Sequence, residues 1–175
     1  MTLPELAERI RSVAYLEGDF TLRSGRKSSF YIDKYLFETQ PEILAELGRR
    51  LAERRTDRTT LIAGAELGGV ALAAAASLAS GLPFVIMRNA KKDYGTGKMY
   101  EGRLAAGDLV LLVEDIATTG GQVLEAARVI QQSGASVEKI VAVVDRGQGA
   151  AENIRAAGFA FEAILFSADL RLPRT

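Results

Sequence analysis

The residues of this sequence that are best suited to chemistry follow one apolar run. Residues 109–113 are all apolar, and Glu114 and Asp115 come directly after them. Residues 118–121 then read Thr-Thr-Gly-Gly, and a helical pattern begins near Gln122. Glycines let backbone N–H groups approach an anion, threonine hydroxyls add donors, and a helix N-terminus carries partial positive charge. The order of these residue types predicts a phosphate site.

The two carboxylates need a different ligand from the threonines and glycines. Two like unit charges about 4 Å apart repel each other by roughly 4 kcal/mol at an effective dielectric constant near 20. A phosphate alone would therefore be repelled by Glu114 and Asp115, whereas ribose hydroxyls or a cation bound by the ligand would satisfy them. The segment predicts a ribose-phosphate site, in which the turn binds phosphate and the acids bind sugar. The alternative is a capped strand-to-helix turn without a ligand.

The pattern of apolar residues predicts the elements that position this turn. Runs that are apolar on consecutive residues are typical of strands buried on both faces, and the segments between them have helical spacing. Pro4 and Pro41 suit the first turns of two amphipathic helices, the first extending to about Leu16. The fold class is therefore α/β, a mostly parallel sheet flanked by helices. The predicted strands are 61–63, 84–87, 109–113, 140–144 and 163–166.

Two segments depart from this alternation. Residues 21–33 predict a small antiparallel or irregular cap before the main sheet. Residues 89–108 are polar, rich in glycine and longer than a usual connection, which is typical of a functional lid or a disordered segment. Because no linker or repeat interrupts the chain, we expect a single domain over residues 1–175.

Composition limits the class of function. The 175 residues contain 22 Lys and Arg against 22 Asp and Glu, so no overall positive field would attract nucleic acid or an anionic membrane. The absence of cysteine and histidine excludes disulfides, thiol nucleophiles, Ser-His catalysis and the usual nitrogen or sulfur metal ligands. The first ten residues lack a secretory signal, and the run 70–82 is too short and too interrupted by serine to span a bilayer. We expect a cytoplasmic protein that binds neither nucleic acid nor membrane.

Four segments, in order, resemble one enzyme family. The apolar run, two acids and Thr-Thr-Gly-Gly resemble the phosphoribosyl diphosphate signature of the type I phosphoribosyltransferases. Three further segments are similar to parts of the orotate phosphoribosyltransferases. They are FTLRSGRKSSFYID (20–33), similar to the N-terminal substrate hood, MRNAKKDYGTGKMYEG (87–102), similar to the mobile catalytic loop, and VVDRGQGAAENI (143–154), similar to a late strand bearing an arginine. The resemblance covers nearly the whole chain and implies a base-covering hood within residues 1–35 and a mobile catalytic loop at 89–108.

The resemblance also implies a reaction. Members of this family transfer ribose 5-phosphate from phosphoribosyl diphosphate to a ring nitrogen of orotate and release diphosphate, in the de novo synthesis of UMP. The implied cofactor is Mg²⁺, bound mainly by the diphosphate and sugar oxygens and not by protein ligands. In the family the mobile loop reaches the neighbouring subunit's site, which implies a homodimer.

Binding residues carry over by position. Glu114 and Asp115 match the acids that hold the ribose hydroxyls of the cation-bound substrate. Arg146 matches the arginine that pairs with the orotate carboxylate, a bidentate task suited to guanidinium geometry. Arg23 stands where the hood places a cation on the base, and Phe30, Tyr31 and Ile32 stand where the hood covers it. The 5-phosphate loop is matched by Ala117, Thr118, Thr119, Gly120 and Gly121, of which Thr118 also lies where the base is contacted.

The mobile loop and Asp115 supply the implied catalytic residues. Lys92 matches the family's loop lysine, and Arg88 matches the arginine that precedes it. Cations that close over departing diphosphate stabilise negative charge where it develops, and a closed loop excludes water from the activated sugar. The alternative for this segment is a solvated, charged surface loop.

Three positions depart from the family pattern. Asn89 follows Arg88 where a lysine is common, which removes one diphosphate cation, and Lys91 is the candidate to replace it. Tyr94 replaces a histidine of the loop, and Leu67 occupies a place where some members have a ligand-contacting lysine. Two other functions stay open. One is transfer to a different base, and the other is a regulator of the same fold that binds phosphoribosyl diphosphate or nucleotides without turnover.

Overall fold

The computed structural model describes residues 1–21, 25, 27–89 and 99–173. These residues form six helices and eight strands. In chain order they are α1 (Leu3–Ala14), β1 (Tyr15–Thr21), β2 (Lys27–Ile32), α2 (Lys34–Glu38), α3 (Pro41–Ala52), β3 (Leu61–Ala65), α4 (Gly68–Ser80), β4 (Phe84–Met87), β5 (Tyr100–Glu101), β6 (Leu109–Ala117), α5 (Gly121–Gln132), β7 (Ser136–Asp145), α6 (Ala150–Ala156) and β8 (Phe161–Phe166).

The main sheet has six strands in the order β5-β4-β3-β6-β7-β8. All its neighbouring pairs are parallel except β4 with the short β5. The α/β prediction is confirmed, and each predicted strand is present. Strand β7 begins at Ser136 and not at residue 140, because its backbone also pairs with β6 through residues 136–139, which include polar side chains and so lack a run of apolar residues.

Helices cover both faces of this sheet, so alternate residues of one strand enter different cores. Leu111 and Val113 of β6 join one core with side chains of α1, α3 and α4. Val110 and Leu112 join a second core with side chains of α5 and α6. Burial on both faces explains why the strand is apolar on consecutive residues. None of the helices in the described part of the chain has the length and apolar character needed to cross a bilayer.

The N-terminal segment forms a helix followed by a separate two-stranded hairpin. Helix α1 begins with a capping box between Thr2 and Glu5 and ends two residues before the predicted limit. The helix ends there because the next residue, Tyr15, is extended and pairs with Ile32 in the antiparallel β1–β2 ladder. The predicted cap is therefore this hairpin, and helix α3 starts at Pro41 as expected.

The last part of the segment 89–108 belongs to the folded core. Tyr100 and Glu101 form β5 and pair with β4. Leu104 is buried, and Asp108 accepts a hydrogen bond from Ala105 N at 2.8 Å. The sequence pattern did not predict strand β5, because the strand contains only two residues and lies in a segment rich in glycine and polar residues.

Candidate active site

The turn after β6 lies at the carboxyl edge of the parallel strands. Strands β6 and β7 pair up to their ends, where Ala117 lies opposite Asp145. The next residue, Arg146, donates its backbone N–H to Ala117 O at 2.9 Å. The segment after β6 and the arginine after β7 are therefore direct neighbours, at the edge where open α/β sheets bind ligands.

Residues 118–120 form the turn into α5. Gly120 adopts φ +79°, a left-handed conformation that favours glycine, directly before the first helical residue. The side chains of Thr118 and Thr119 are exposed. The turn thus borders a space large enough for a small ligand. This cavity has a volume of about 310 Å³ and is lined by Glu114, Ile116, Ala117, Thr118, Thr119, Gly120, Gly121, Gln122 and Val123.

The two acids at the end of β6 have different surroundings. Asp115 is 3% exposed, its Oδ2 lies 2.5 Å from Lys34 Nζ, and its Oδ1 accepts the N–H of Ile116 at 2.5 Å. Glu114 lines the cavity instead, and its buried Oε2 accepts no hydrogen bond from the described residues. Burial and the neighbouring Asp115 charge raise the pKa of Glu114 to about 8. Among the described residues, both Asp115 oxygens are therefore bound, whereas Glu114 keeps one oxygen, Oε2, without a hydrogen-bond partner.

Two charged residues of α2 reach this acid pair and were missed by the sequence analysis. Lys34, at the start of the helix, forms the ion pair with Asp115. Glu38, at its end, is 3% exposed, and its Oε1 has no hydrogen-bond partner among the described residues. Burial and the charge of Asp115 raise the pKa of Glu38 to about 8. No local motif marks these residues, because the bond from Lys34 to Asp115 spans 81 positions of the chain.

The hairpin brings one aromatic ring to the arginine after β7. The guanidinium carbon of Arg146 lies 5.7 Å from the centroid of the Phe30 ring, and burial lowers the pKa of Arg146 from its usual value. Phe30 also stacks on Tyr15, with centroids 5.7 Å apart. Tyr31 is 43% exposed and contacts Phe20 instead, because successive strand residues point to opposite faces. The structure thus brings Phe30, and not Tyr31, together with Arg146.

Comparison with known proteins identifies the family. The sequence-family model of the phosphoribosyl transferase domain matches residues 37–173 of this chain. An orotate phosphoribosyltransferase of Methanocella arvoryzae is 42% identical over 167 residues, which are 95% of this chain and 95% of the relative. This chain belongs to the orotate phosphoribosyltransferase family.

Solved structures of orotate phosphoribosyltransferases share the fold. The Mycobacterium tuberculosis H37Rv enzyme in complex with Fe(III) dicitrate is 35% identical, with a TM-score of 0.88 over 97% of this chain and 99% of that one. The same enzyme in complex with 5-phospho-alpha-D-ribosyl 1-diphosphate is 33% identical, with a TM-score of 0.81 over 97% and 99%. The type I phosphoribosyltransferase fold that the motifs imply is therefore present.

In this member of the orotate phosphoribosyltransferase family, Asn89 ties three segments of the site edge together. Its backbone N–H donates to Glu66 Oε1 at 2.8 Å, and its side-chain amide donates to Glu66 O at 2.8 Å. Gln122 Nε2 donates to Glu66 O at 2.9 Å and to Asn89 Oδ1 at 2.6 Å. Asn89 therefore joins the turn after β3, the segment after β4 and the start of α5.

The other residues of the expected diphosphate region divide between described and undescribed parts of the chain. Leu67 is 66% exposed at the start of α4, after a cis peptide bond from Glu66. Arg88 Nη1 lies 3.4 Å from Glu101 Oε1 of β5. Arg23, Lys91, Lys92 and Tyr94 lie outside the described residues, so their expected roles stay predictions.

Proposed function

We propose that this chain transfers ribose 5-phosphate from phosphoribosyl diphosphate to orotate, giving orotidine 5-monophosphate and diphosphate in the synthesis of UMP. One observation carries the proposal in a chain of this family. The cavity at the turn after β6 adjoins Glu114 on the sugar side, and the Arg146–Phe30 pair lies at the end of the adjacent strand. Assigning phosphate to the turn, sugar to Glu114 and an acidic ring to Arg146 follows the order of the product's parts, and this agreement supports the proposal.

Arg146 supports orotate as the base. Its guanidinium is partly buried beside the Phe30 ring, and a guanidinium pairs with a carboxylate through two parallel hydrogen bonds. Desolvation strengthens such a pair and penalises an uncharged base that leaves the cation unpaired. Orotate carries a carboxylate on its ring, whereas uracil, adenine and hypoxanthine do not. Transfer to those bases would therefore be much slower.

Glu114 and the turn into α5 support the sugar phosphate as the group transferred. Exposed Thr118 and Thr119 and the N-terminus of a 12-residue helix offer donors to the 5-phosphate. An ionised Glu114 would accept hydrogen bonds from the ribose hydroxyls. Arg88, Lys91 and Lys92 would neutralise the departing diphosphate as the bond between sugar and leaving group breaks.

Mg²⁺ is the proposed cofactor, held mainly through the substrate. The resemblance to a family in which the diphosphate and sugar oxygens bind most of the cation supports this arrangement. Hard divalent cations of this size keep few protein ligands and bind substrate phosphates readily. When bound, Mg²⁺ would neutralise diphosphate charge, while Glu114 receives the sugar and Arg146 orients the base.

A homodimer in the cytoplasm is the proposed state of the chain. The resemblance of residues 87–102 to a loop that reaches a neighbouring subunit supports the dimer, and the absence of cysteine fits a reducing compartment. Mixing a Lys92→Ala variant with an Arg146→Ala variant tests the shared site. Subunit exchange should then restore activity to a fraction of the sites, whereas separate sites would give no recovery.

The activity is tested by the ultraviolet absorbance change with orotate, phosphoribosyl diphosphate and Mg²⁺, with uracil, hypoxanthine and adenine as competing bases. Arg146→Ala should raise the KM for orotate by about 30-fold or more and that for phosphoribosyl diphosphate by about threefold or less. Arg146→Lys serves as the charge-conserving control and should recover only part of the loss. Equal loss for both substrates would contradict the assignment of Arg146 to the base.

Two results of the same assay would replace the proposal. Turnover with another base, and none with orotate, would indicate a different phosphoribosyltransferase. Retained binding of phosphoribosyl diphosphate without turnover of any base would indicate a regulator of the same fold.

A further inference from the structure

Helix α2 carries a pair of charged side chains to which the proposed reaction assigns no role. Lys34 and Glu38 are four positions apart, a spacing that places two side chains on the same face of a helix. That face is directed at the end of β6. Lys34 Nζ lies 2.5 Å from Asp115 Oδ2, and the buried Glu38 carboxyl feels the charges of both Asp115 and Lys34. A single ammonium group therefore stands among three carboxyl groups, those of Glu38, Glu114 and Asp115.

The Asp115 carboxylate lies in a slot on this side of the strand. Gly68, the first residue of α4, forms one wall, since a Cβ atom there would lie 1.6 Å from Asp115 Oδ2. The Lys34 ammonium donates a hydrogen bond to the same oxygen, Oδ2, and the backbone N–H of Ile116 donates to Oδ1. Both oxygens are thus occupied by protein groups. The cavity at the turn after β6 is lined by Glu114 and not by Asp115.

We propose that Lys34 is a positioning residue for sugar binding, which holds Asp115 in the Gly68 slot and leaves Glu114 as the acid that receives the ribose hydroxyls. The inference rests on the proposed function, because it assigns different roles to the two acids of the sugar site. Without the ammonium, Asp115 would lose its partner in a buried slot and repel Glu114 directly beside it. A buried, unpaired carboxylate is costly, so Asp115 would turn toward the cavity. This change would disturb the binding of the ribose.

The decisive comparison is between charge removal at Lys34 and at a matched ion pair elsewhere. Lys139 Nζ lies 2.5 Å from Glu162 Oε1, across β7 and β8, near the end of the sheet opposite to the site. Lys34→Met should raise the KM for phosphoribosyl diphosphate by about tenfold or more and that for orotate by about twofold or less. Lys34→Arg should restore most of the affinity, and Lys139→Met should change neither KM. Calorimetric titration of phosphoribosyl diphosphate with Mg²⁺ should show the same order of affinity.

A second pair of variants keeps the inference testable if Lys34→Met does not fold. Glu114→Gln removes the ligand-facing carboxyl group, and Asp115→Asn keeps an acceptor for Lys34. We expect Glu114→Gln to weaken binding of phosphoribosyl diphosphate by about tenfold relative to Asp115→Asn. The inference is wrong if Lys34→Met behaves as Lys139→Met does, if both KM values rise equally, or if Asp115→Asn weakens binding as much as Glu114→Gln. Absence of turnover by the wild-type chain would refute the proposed function alone, because the titration measures binding directly.

Discussion

The two faces of the end of β6 differ in how their polar groups are satisfied. On the face toward α5, Thr118 and Thr119 are exposed, Glu114 Oε2 has no hydrogen-bond partner among the described residues, and a cavity of about 310 Å³ opens. On the face toward α2 and α4, Asp115 is buried and both its oxygens are bound. We call these the open face and the closed face.

The difference between the two faces fits the proposed function, in which the open face binds the substrate and the closed face holds the binding residues in position. Groups that bind a ligand must keep free donors and acceptors, whereas both oxygens of Asp115 on the closed face are bound by protein groups. Charges on the closed face are removed from water and interact strongly, while hydrogen bonds on the open face compete with water. Substitutions on the closed face should therefore have larger effects than those at the rim of the open face.

The largest effect is expected from Gly68→Ala, which fills the slot on the closed face. The new Cβ would lie 1.6 Å from Asp115 Oδ2, so the carboxylate and its Lys34 partner must move. We expect kcat/KM for phosphoribosyl diphosphate to fall by about 100-fold, which corresponds to roughly 2.7 kcal/mol. Steady-state kinetics would measure this loss.

Gly48→Ala is the matched control, since it overfills a contact remote from the acids. Its Cβ would lie 2.7 Å from the backbone of Ala75, between α3 and α4. This variant should lower the melting temperature by about 4 °C or more, while kcat/KM per folded molecule stays unchanged. Equal loss of activity in both variants would show that the closed face has no special role.

The next effect concerns stability on the closed face. The pKa of Glu38 is raised from 4.5 to about 8 by burial and by the Asp115 and Asp33 charges, against the opposing charge of Lys34. The folded chain therefore keeps a proton that the unfolded chain loses, so this group destabilises the fold as pH rises from about 4.5 through about 8. Glu38→Gln should be more stable than wild type by about 2 kcal/mol at about pH 8.5, with little difference at about pH 4. Urea unfolding at both pH values would measure it.

Glu46→Gln provides a control of opposite sign. The pKa of Glu46 is lowered, chiefly by hydrogen bonds from Arg49 and Arg50, against the effect of burial. Its contribution to stability is therefore present above the unfolded pKa and is lost as pH falls through the folded pKa. Glu46→Gln should be less stable than wild type at neutral pH, and this difference should shrink in acid. If Glu38→Gln shows the same trend, Glu38 is ionised in the folded chain.

The smallest effect is expected at the rim of the open face, where Asn89, Glu66 and Gln122 form exposed hydrogen bonds. Exposed bonds contribute little individually, so Asn89→Ala should lower kcat/KM for phosphoribosyl diphosphate by about threefold. Gln122→Ala should do the same, and the double variant should lose less than the product of the two losses. Fully multiplicative losses would show that the two side chains act independently.

Much of the fold could be predicted from neighbouring residues. Strand β4 was predicted with its bounds, and helix α3 with its start, because a buried strand is apolar throughout and proline marks a first helical turn. The ends of β6 and β7 could not be predicted in this way. The pairing between these strands includes Glu114 and Asp115 near the end of β6 and begins among polar residues of β7. Backbone pairing of this kind does not require apolar side chains, so the sequence pattern does not reveal it.

The sequence by itself determined the turn after β6, the α/β class and the family resemblance. Each depends on residues that are contiguous, or on the order of contiguous motifs, so local periodicity and residue chemistry are sufficient. Only the tertiary structure decided that Lys34 meets Asp115, that Phe30 and not Tyr31 lies by Arg146, and that Asn89 joins Glu66 to Gln122. These contacts join segments far apart in the chain, and they exist because α2, the hairpin and the strand ends pack against one another in three dimensions.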